Sequence, residues 1–319
     1  MAKRRMAVIA LLTCFCLLLP AFSINAVIST DMYQSINLNQ ECSLTLSYTC
    51  EGTAFKDISV KLYNVAEINS DFKYELTSDF KSAQLIINGV KTNGEWNTIR
   101  STLEAYIVAD NINASAVLKT DAQGLVHFNN LKSGLYLAIV GTVTQNEITC
   151  FFDSALVALP GLNANNDWQY QVTVNSKSQI IPPSEQEIEL KVLKLWKGDE
   201  NKNTRPQSVE IEIFKDGTSY KKIVLSKNDN WAYTWVAKND GAKWTVIERN
   251  VPKGYTMMVE TRDNTIVLTN TYNHKDPSDT VQTGDTYNIM LYATIIIISG
   301  SLFVILGIIG KRKSNEENQ

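Results

Sequence analysis

The chain is poor in the residues that most soluble enzymes and nucleic-acid binders rely on. It has two histidines, His127 and His274, and no cluster of His and Cys, which argues against a metal site and leaves no cofactor to place. Its formal net charge is only -3, with a pI near 5.6, so no basic surface points to a nucleic-acid partner. No nucleophile–base–orienter set, paired-acid signature or phosphate loop appears, which argues against turnover chemistry. Cysteine is scarce too. Of five, Cys14 and Cys16 lie in an N-terminal hydrophobic run, leaving Cys42, Cys50 and Cys150. Three is odd, so at most one disulfide can form within the chain. Cys42 and Cys50 lie along one extended stretch and are poorly placed to bridge each other. A bridge, if one forms, joins Cys150 to Cys50 or Cys42, with Cys50–Cys150 the candidate pair.

Two hydrophobic ends frame what is present. Lys3-Arg4-Arg5 precedes an apolar stretch from Met6 to Phe22, the charged and apolar regions of a secretory signal. Cleavage after Ala26 is preferred, with Ser23 as the alternative. At the other end, Ile289 to Gly310 is an uncharged run of 22 residues. As a helix it would rise about 33 Å, enough for a hydrocarbon core of roughly 30 Å. Lys311-Arg312-Lys313 follows it and should stay cytoplasmic, which places the preceding chain outside the cell.

Val281-Gln282-Thr283-Gly284-Asp285, the apolar run and the basic tail together resemble the cell-wall sorting signal of Gram-positive surface proteins. The resemblance implies sortase cleavage between Thr283 and Gly284 and transfer of the Thr283 carbonyl to an amine. Thr280 and Val281 stand where that family has Leu and Pro. An ordinary single-pass membrane anchor is the alternative.

Roughly 250 residues remain between the ends, enough for one or two domains. The expected organisation is a signal peptide over residues 1–26, a first domain over 27–179, a linker over 180–187, a second domain over 188–273 and a sorting signal over 274–319. Ser43–Tyr48 and Ile58–Tyr63 alternate apolar and polar with period two and read as strands. Between them and the next strands, about Asp71 to Asn113, only a helical patch near Thr102–Ala109 is legible. Asp121 to Gly124 supplies a turn, and Gly134 lets a tight turn feed the following strand. Thr120-Asp121-x-x-Gly124 with Phe128, Leu131, Gly134 and Tyr136 resembles the signature of prealbumin-like β-sandwich domains in Gram-positive pilins. Trp168, Val172, Val174 and Lys177 resemble the pilin motif whose lysine attacks the sortase-bound neighbour, with Asn175 and Ser176 replacing its Tyr and Pro. That resemblance makes Lys177 the candidate acceptor; a solvated lysine after a terminal strand is the alternative. Pro182-Pro183 marks an extended linker.

In the second region, Val192-Leu193-Lys194-Leu195-Trp196, Arg205-Pro206, Asp216-Gly217, Trp231, Trp244 to Glu248, Pro252-Lys253-Gly254-Tyr255 and Leu268 to Tyr272 fall in the order seen in collagen-adhesin B-type (Cna-B) domains. The resemblance covers about Glu187 to Asn273 and implies a small β-sandwich. It also implies an isopeptide bond between Lys194 and Asn270, with Glu248 as the assisting acid. Burial would push Lys194 towards a neutral, nucleophilic amine and Glu248 towards a carboxylic acid that polarises the Asn270 carbonyl. A buried ion pair without a bond is the alternative. In the first domain, laying Gly52 on Gly198 sets Tyr48 opposite Lys194, and laying Tyr136 on Trp244 sets Val140 opposite Glu248. Asn175 can be laid on Asn270, but its lysine and acid partners are missing, so no such crosslink is expected there.

The expected fold is all-β: two tandem immunoglobulin-like or prealbumin-like β-sandwich domains, with an N-terminal signal peptide and a C-terminal transmembrane helix. The expected function is a non-enzymatic cell-surface subunit, a pilin or wall-anchored stalk. Its partners would be a sortase, peptidoglycan or neighbouring subunits, and the membrane. A surface adhesin gripping a host protein or glycan through the first domain is the alternative; a long insertion with exposed aromatics in Asp71 to Asn113 would favour it.

Overall fold

A computed structural model of the chain describes residues 36–69, 71, 73–165, 167–182, 186–200 and 204–273. The signal peptide, Thr283-Gly284 and the apolar run lie outside the described residues. Among the described residues no helix is long and apolar enough to cross a membrane.

Strands dominate. The first domain is built on β1 (Cys42–Ser47), β2 (Ser59–Ile68), β3 (Leu125–Leu131), β4 (Gly134–Ile139), β5 (Ile148–Phe152), β6 (Ala155–Leu159) and β7 (Gln171–Asn175), with helix α1 (Asn93–Ala109) inserted between β2 and β3. One sheet has the order β7-β1-β3, and a second runs β6-β4-β2 and on to a short strand at Tyr74–Leu76. Ser178–Ile180 pairs with β5, so the chain leaves the first domain only after Ile180.

The second domain contains β8 (Glu187–Lys197), β9 (Ser208–Lys215), β10 (Thr218–Ser226), β11 (Ala232–Lys238), β12 (Trp244–Glu248), β13 (Tyr255–Arg262) and β14 (Thr265–Tyr272). Its two sheets have the orders β11-β8-β14-β13 and β10-β9-β12. In both domains the first and last of these strands lie side by side and parallel, β1 with β7 and β8 with β14.

Local chemistry explains the motif residues of the first domain. The Asp121 carboxylate accepts from the backbone N–H of Gln123 and Leu125, and the Gly124 N–H closes the turn on the Asp121 carbonyl. A Cβ on Gly124, at φ +75°, would stand 2.6 Å from the Tyr48 carbonyl oxygen, and one on Gly134 would stand 2.5 Å from that of Ala66. Only glycine fits either place. The Tyr136 hydroxyl donates to the Lys132 carbonyl at 2.9 Å, tying β4 to the turn before it.

The insertion carries a helix, α1, longer than the patch at Thr102–Ala109. It starts in a capping box: the Thr92 hydroxyl accepts from the Glu95 N–H, and the Glu95 carboxylate accepts from the Thr92 N–H. Hydrogen bonds from the Lys91 and Thr92 backbone hold that carboxyl below its usual range. α1 buries Ile99, Leu103, Tyr106 and Ile107 in one apolar cluster with Leu135 and Leu137 of the first domain and Val246, Met257 and Leu268 of the second. The insertion therefore joins the two domains, and Trp96 is half-buried against the same cluster. Leu103, fully buried at this junction, tests the joint: Leu103→Ala should cost about 2–5 kcal/mol in a denaturant titration of the whole chain.

Candidate functional site

Strand periodicity aims Lys194 inward. Along β8, Leu190, Val192 and Lys194 alternate with less buried neighbours, so the lysine continues an apolar stripe into the sandwich. In β14, Ile266, Leu268 and Asn270 follow the same rule. The parallel register sets Lys194 beside Leu268 and Trp196 beside Asn270. Lys194 and Asn270 are thus two positions apart on one face of one sheet. Glu248 ends β12 in the opposite sheet, where it faces them.

The three residues meet in the dry interior, with Lys194 and Glu248 each 2% exposed and Asn270 0%. The Lys194 Nζ is 2.9 Å from Glu248 Oε2, and the Asn270 amide nitrogen donates to Glu248 Oε1 at 3.2 Å. The contact of Nζ with Oε2 is close but poorly angled, and neither atom has a well-formed hydrogen bond; Asn270 Oδ1 has none either. Burial pushes the Lys194 ammonium down to about 8, against the pull of Glu248. It pushes the Glu248 carboxyl up, against Lys194 and the hydrogen bond from Asn270. Both shifts favour the uncharged pair.

The residues around the site come from the ends of β8 and β13 and from loops that sequence reasoning did not connect. The Trp196 ring lies 4.8 Å from Lys194 Nζ and is braced edge-on by Trp231 and Tyr255. Arg205 makes a two-pronged contact to Asp199 at 2.8 and 2.6 Å, and the Tyr255 hydroxyl donates to the same carboxylate. Those bonds, first the one from Arg205, hold the Asp199 carboxyl below the usual carboxylate range. The Arg205 and Pro252–Tyr255 motifs are thereby explained as one brace at the mouth of the sandwich.

The first domain has no matching trio. Asn175 ends β7 exposed, paired with Ser47, and Tyr48 is buried against Phe152. The staple there is a disulfide between Cys50 and Cys150, with their Cα atoms 6.6 Å apart; Cys42 is a buried free thiol. Lys177 is exposed just beyond β7, its carbonyl accepting from the Asp153 N–H. It stands on the rim of a cleft of about 580 Å³ whose walls include Trp96, Arg100 and Asp153.

Residues 190–271 match the Cna protein B-type domain family model, and the second sandwich is a Cna B-type domain. A collagen adhesin of Staphylococcus aureus is 29% identical over 117 residues, a match that spans 34% of this chain and 10% of that protein. Among solved structures, a single B repeat unit of the collagen-binding surface protein of S. aureus is 17% identical, covering 74% of this chain and 99% of that one, with a TM-score of 0.26. The major pilin SpaD of Corynebacterium diphtheriae is 15% identical, covering 74% and 65%, with a TM-score of 0.29.

Proposed function

We propose that the protein is a cell-surface structural subunit of a Gram-positive bacterium, a sortase substrate acting as a pilin or wall-anchored stalk and stiffened by a Lys194–Asn270 isopeptide bond. The observation that carries this reading is the dry trio of Lys194, Glu248 and Asn270 inside a Cna B-type domain. The neutral Lys194 amine attacks the Asn270 side-chain carbonyl carbon. The bond from that carbon to the amide nitrogen breaks, and the nitrogen leaves as ammonia. Glu248 touches both nitrogens, so it can take the proton the attacking amine sheds and hand one to the departing amide nitrogen. The amine and amide are consumed once within their own chain, so there is no turnover.

Secretion by the residue 1–26 signal, retention by the apolar run and transfer of Thr283 to a wall or pilin amine complete the reading. The membrane, a sortase, and peptidoglycan or neighbouring subunits are its partners. The adhesin alternative loses its most obvious platform, because α1 of the Asp71–Asn113 insertion is buried against the second domain.

Two results test the anchoring. Fragments released from the wall should carry Thr283 joined to a foreign amine; intact Asp285-to-Lys313 peptides on the mature surface protein would contradict this. If subunits are chained through Lys177, a ladder of high-mass species in wall extracts should collapse to monomer in Lys177→Arg, whose guanidinium stays protonated. A ladder unchanged in that variant would reduce Lys177 to a surface lysine.

A further inference from the structure

β12 and β13 are edge strands of the two facing sheets, so between them the second sandwich has an open flank. α1 of the first domain lies across it. The Thr102 hydroxyl accepts from the Val259 N–H of the β13 edge at 2.8 Å while donating to its own helix at Thr98. Thr245 and Ile247, neighbours on β12 of the inward-facing Val246 and Glu248, are buried as well. Charges fasten the helix further along. Glu104, buried and bonded to Ser154 and Arg100 of its own domain, pairs with Lys243 of the second at 2.5 Å. The Arg249 guanidinium donates to the Ala109 carbonyl at the helix end.

Tyr106 stands at the point that matters for the reaction. A cleft of about 340 Å³ is lined by Tyr106 together with Pro252, Tyr255 and Met257, the last of which is the β13 partner of Asn270. Burial, with the nearby charges of Asp110 and Glu248, pushes the Tyr106 phenol up to about 12. A smaller side chain there would enlarge this cleft, whose wall already includes the strand partner of Asn270.

We propose that α1 of the first domain is the missing wall of the crosslink chamber in the second, so that the domains dock before Lys194 reacts. Tyr106 is the positioning residue that keeps water from Glu248. This rests on the crosslink reading above. Water admitted beside Glu248 weakens the desolvation that keeps Lys194 uncharged, and each pKa unit the lysine regains cuts its neutral fraction about tenfold.

The test is pulse–chase cell-free synthesis of the full chain, read by mass under denaturing conditions. The wild-type chain should lose one ammonia during the chase. Tyr106→Ser should do so about tenfold more slowly or worse, while Tyr106→Phe, which keeps the ring, should match the wild type. Lys243→Ala/Arg249→Ala loosens the helix while leaving the Lys194, Glu248 and Asn270 side chains in place, although Arg249 also pairs with the buried Glu212 of its own sandwich. A folded double variant should slow the loss likewise; it decides the matter if Tyr106→Ser does not fold. Ammonia loss at the wild-type rate in the double variant and in a folded Tyr106→Ser chain would overturn the proposal. A wild-type chain that keeps its full mass would instead overturn the crosslink reading itself.

Discussion

Pulled by its two ends, the second domain should not lengthen. With the proposed isopeptide bond in place, force entering at β8 would reach Lys194, cross to Asn270 and leave through the last residues of β14. The 75 residues between them stay out of the load path. Glu248→Ala, which leaves the bond unmade, should add an unfolding step of about 250 Å at 3.3–3.6 Å per extended residue. Closing so long a loop also removes unfolded-state entropy worth about 4–5 kcal/mol if the bond is treated as a disulfide, and the variant should melt at correspondingly lower temperature. Removing Glu248 from beside a buried Lys194 adds to that loss, because the amine is left without its partner. Single-molecule extension of wild type against Glu248→Ala checks this. A step of that length in the wild-type domain would contradict the load path.

Reduction should have the next largest effect, and in the first domain. Cys50 and Cys150 are 100 residues apart, so their disulfide closes a loop worth about 4–5 kcal/mol in the chain-entropy account. Cys50→Ser/Cys150→Ser should lower the first domain's unfolding free energy by about that much and leave the ammonia-deficient mass of the second unchanged. Under force, the same variant should release about 330 Å more chain than the oxidised protein. With the second domain crosslinked as proposed, the first should be the softer of the two even when oxidised. Its load still runs through the β1–β7 ladder, because Cys50 lies beyond the end of β1 and Cys150 before the start of β7.

What could be read in advance divides along physical lines. Period-two alternation is a local signal, and it showed the start of β1 and the start of β2, whereas the placement of Lys194 came with the resemblance to Cna-B domains. Gly124 was legible as the turn glycine it is, whereas Gly134 opens β4 and is glycine because a Cβ there would meet the Ala66 carbonyl across the sheet. α1 was harder. It buries side chains around much of its circumference, from Ile99 and Thr102 through Glu104 to Tyr106, so no single apolar stripe marks it. Its capping box, Thr92 to Glu95, was a signal present in the sequence and left unread. Nothing local tells that Glu104 will meet Lys243, 139 residues away. Parity likewise could not choose between Cys42 and Cys50. The choice follows from the Thr49–Cys50 strand, which puts Cys50 beside Cys150, while Cys42 at the start of β1 is buried elsewhere.

The intact mass of the two-domain chain, residues 27–273, purified oxidised and measured after complete unfolding, tests the account most directly. With the disulfide allowed for, it should fall short of the sequence mass by one ammonia. Lys194→Ala, Glu248→Ala and Asn270→Ala should each show the full mass expected for the uncrosslinked variant. A folded wild-type chain at its full oxidised sequence mass would mean that Lys194 and Glu248 are only a buried pair, and that no covalent bond stiffens the stalk.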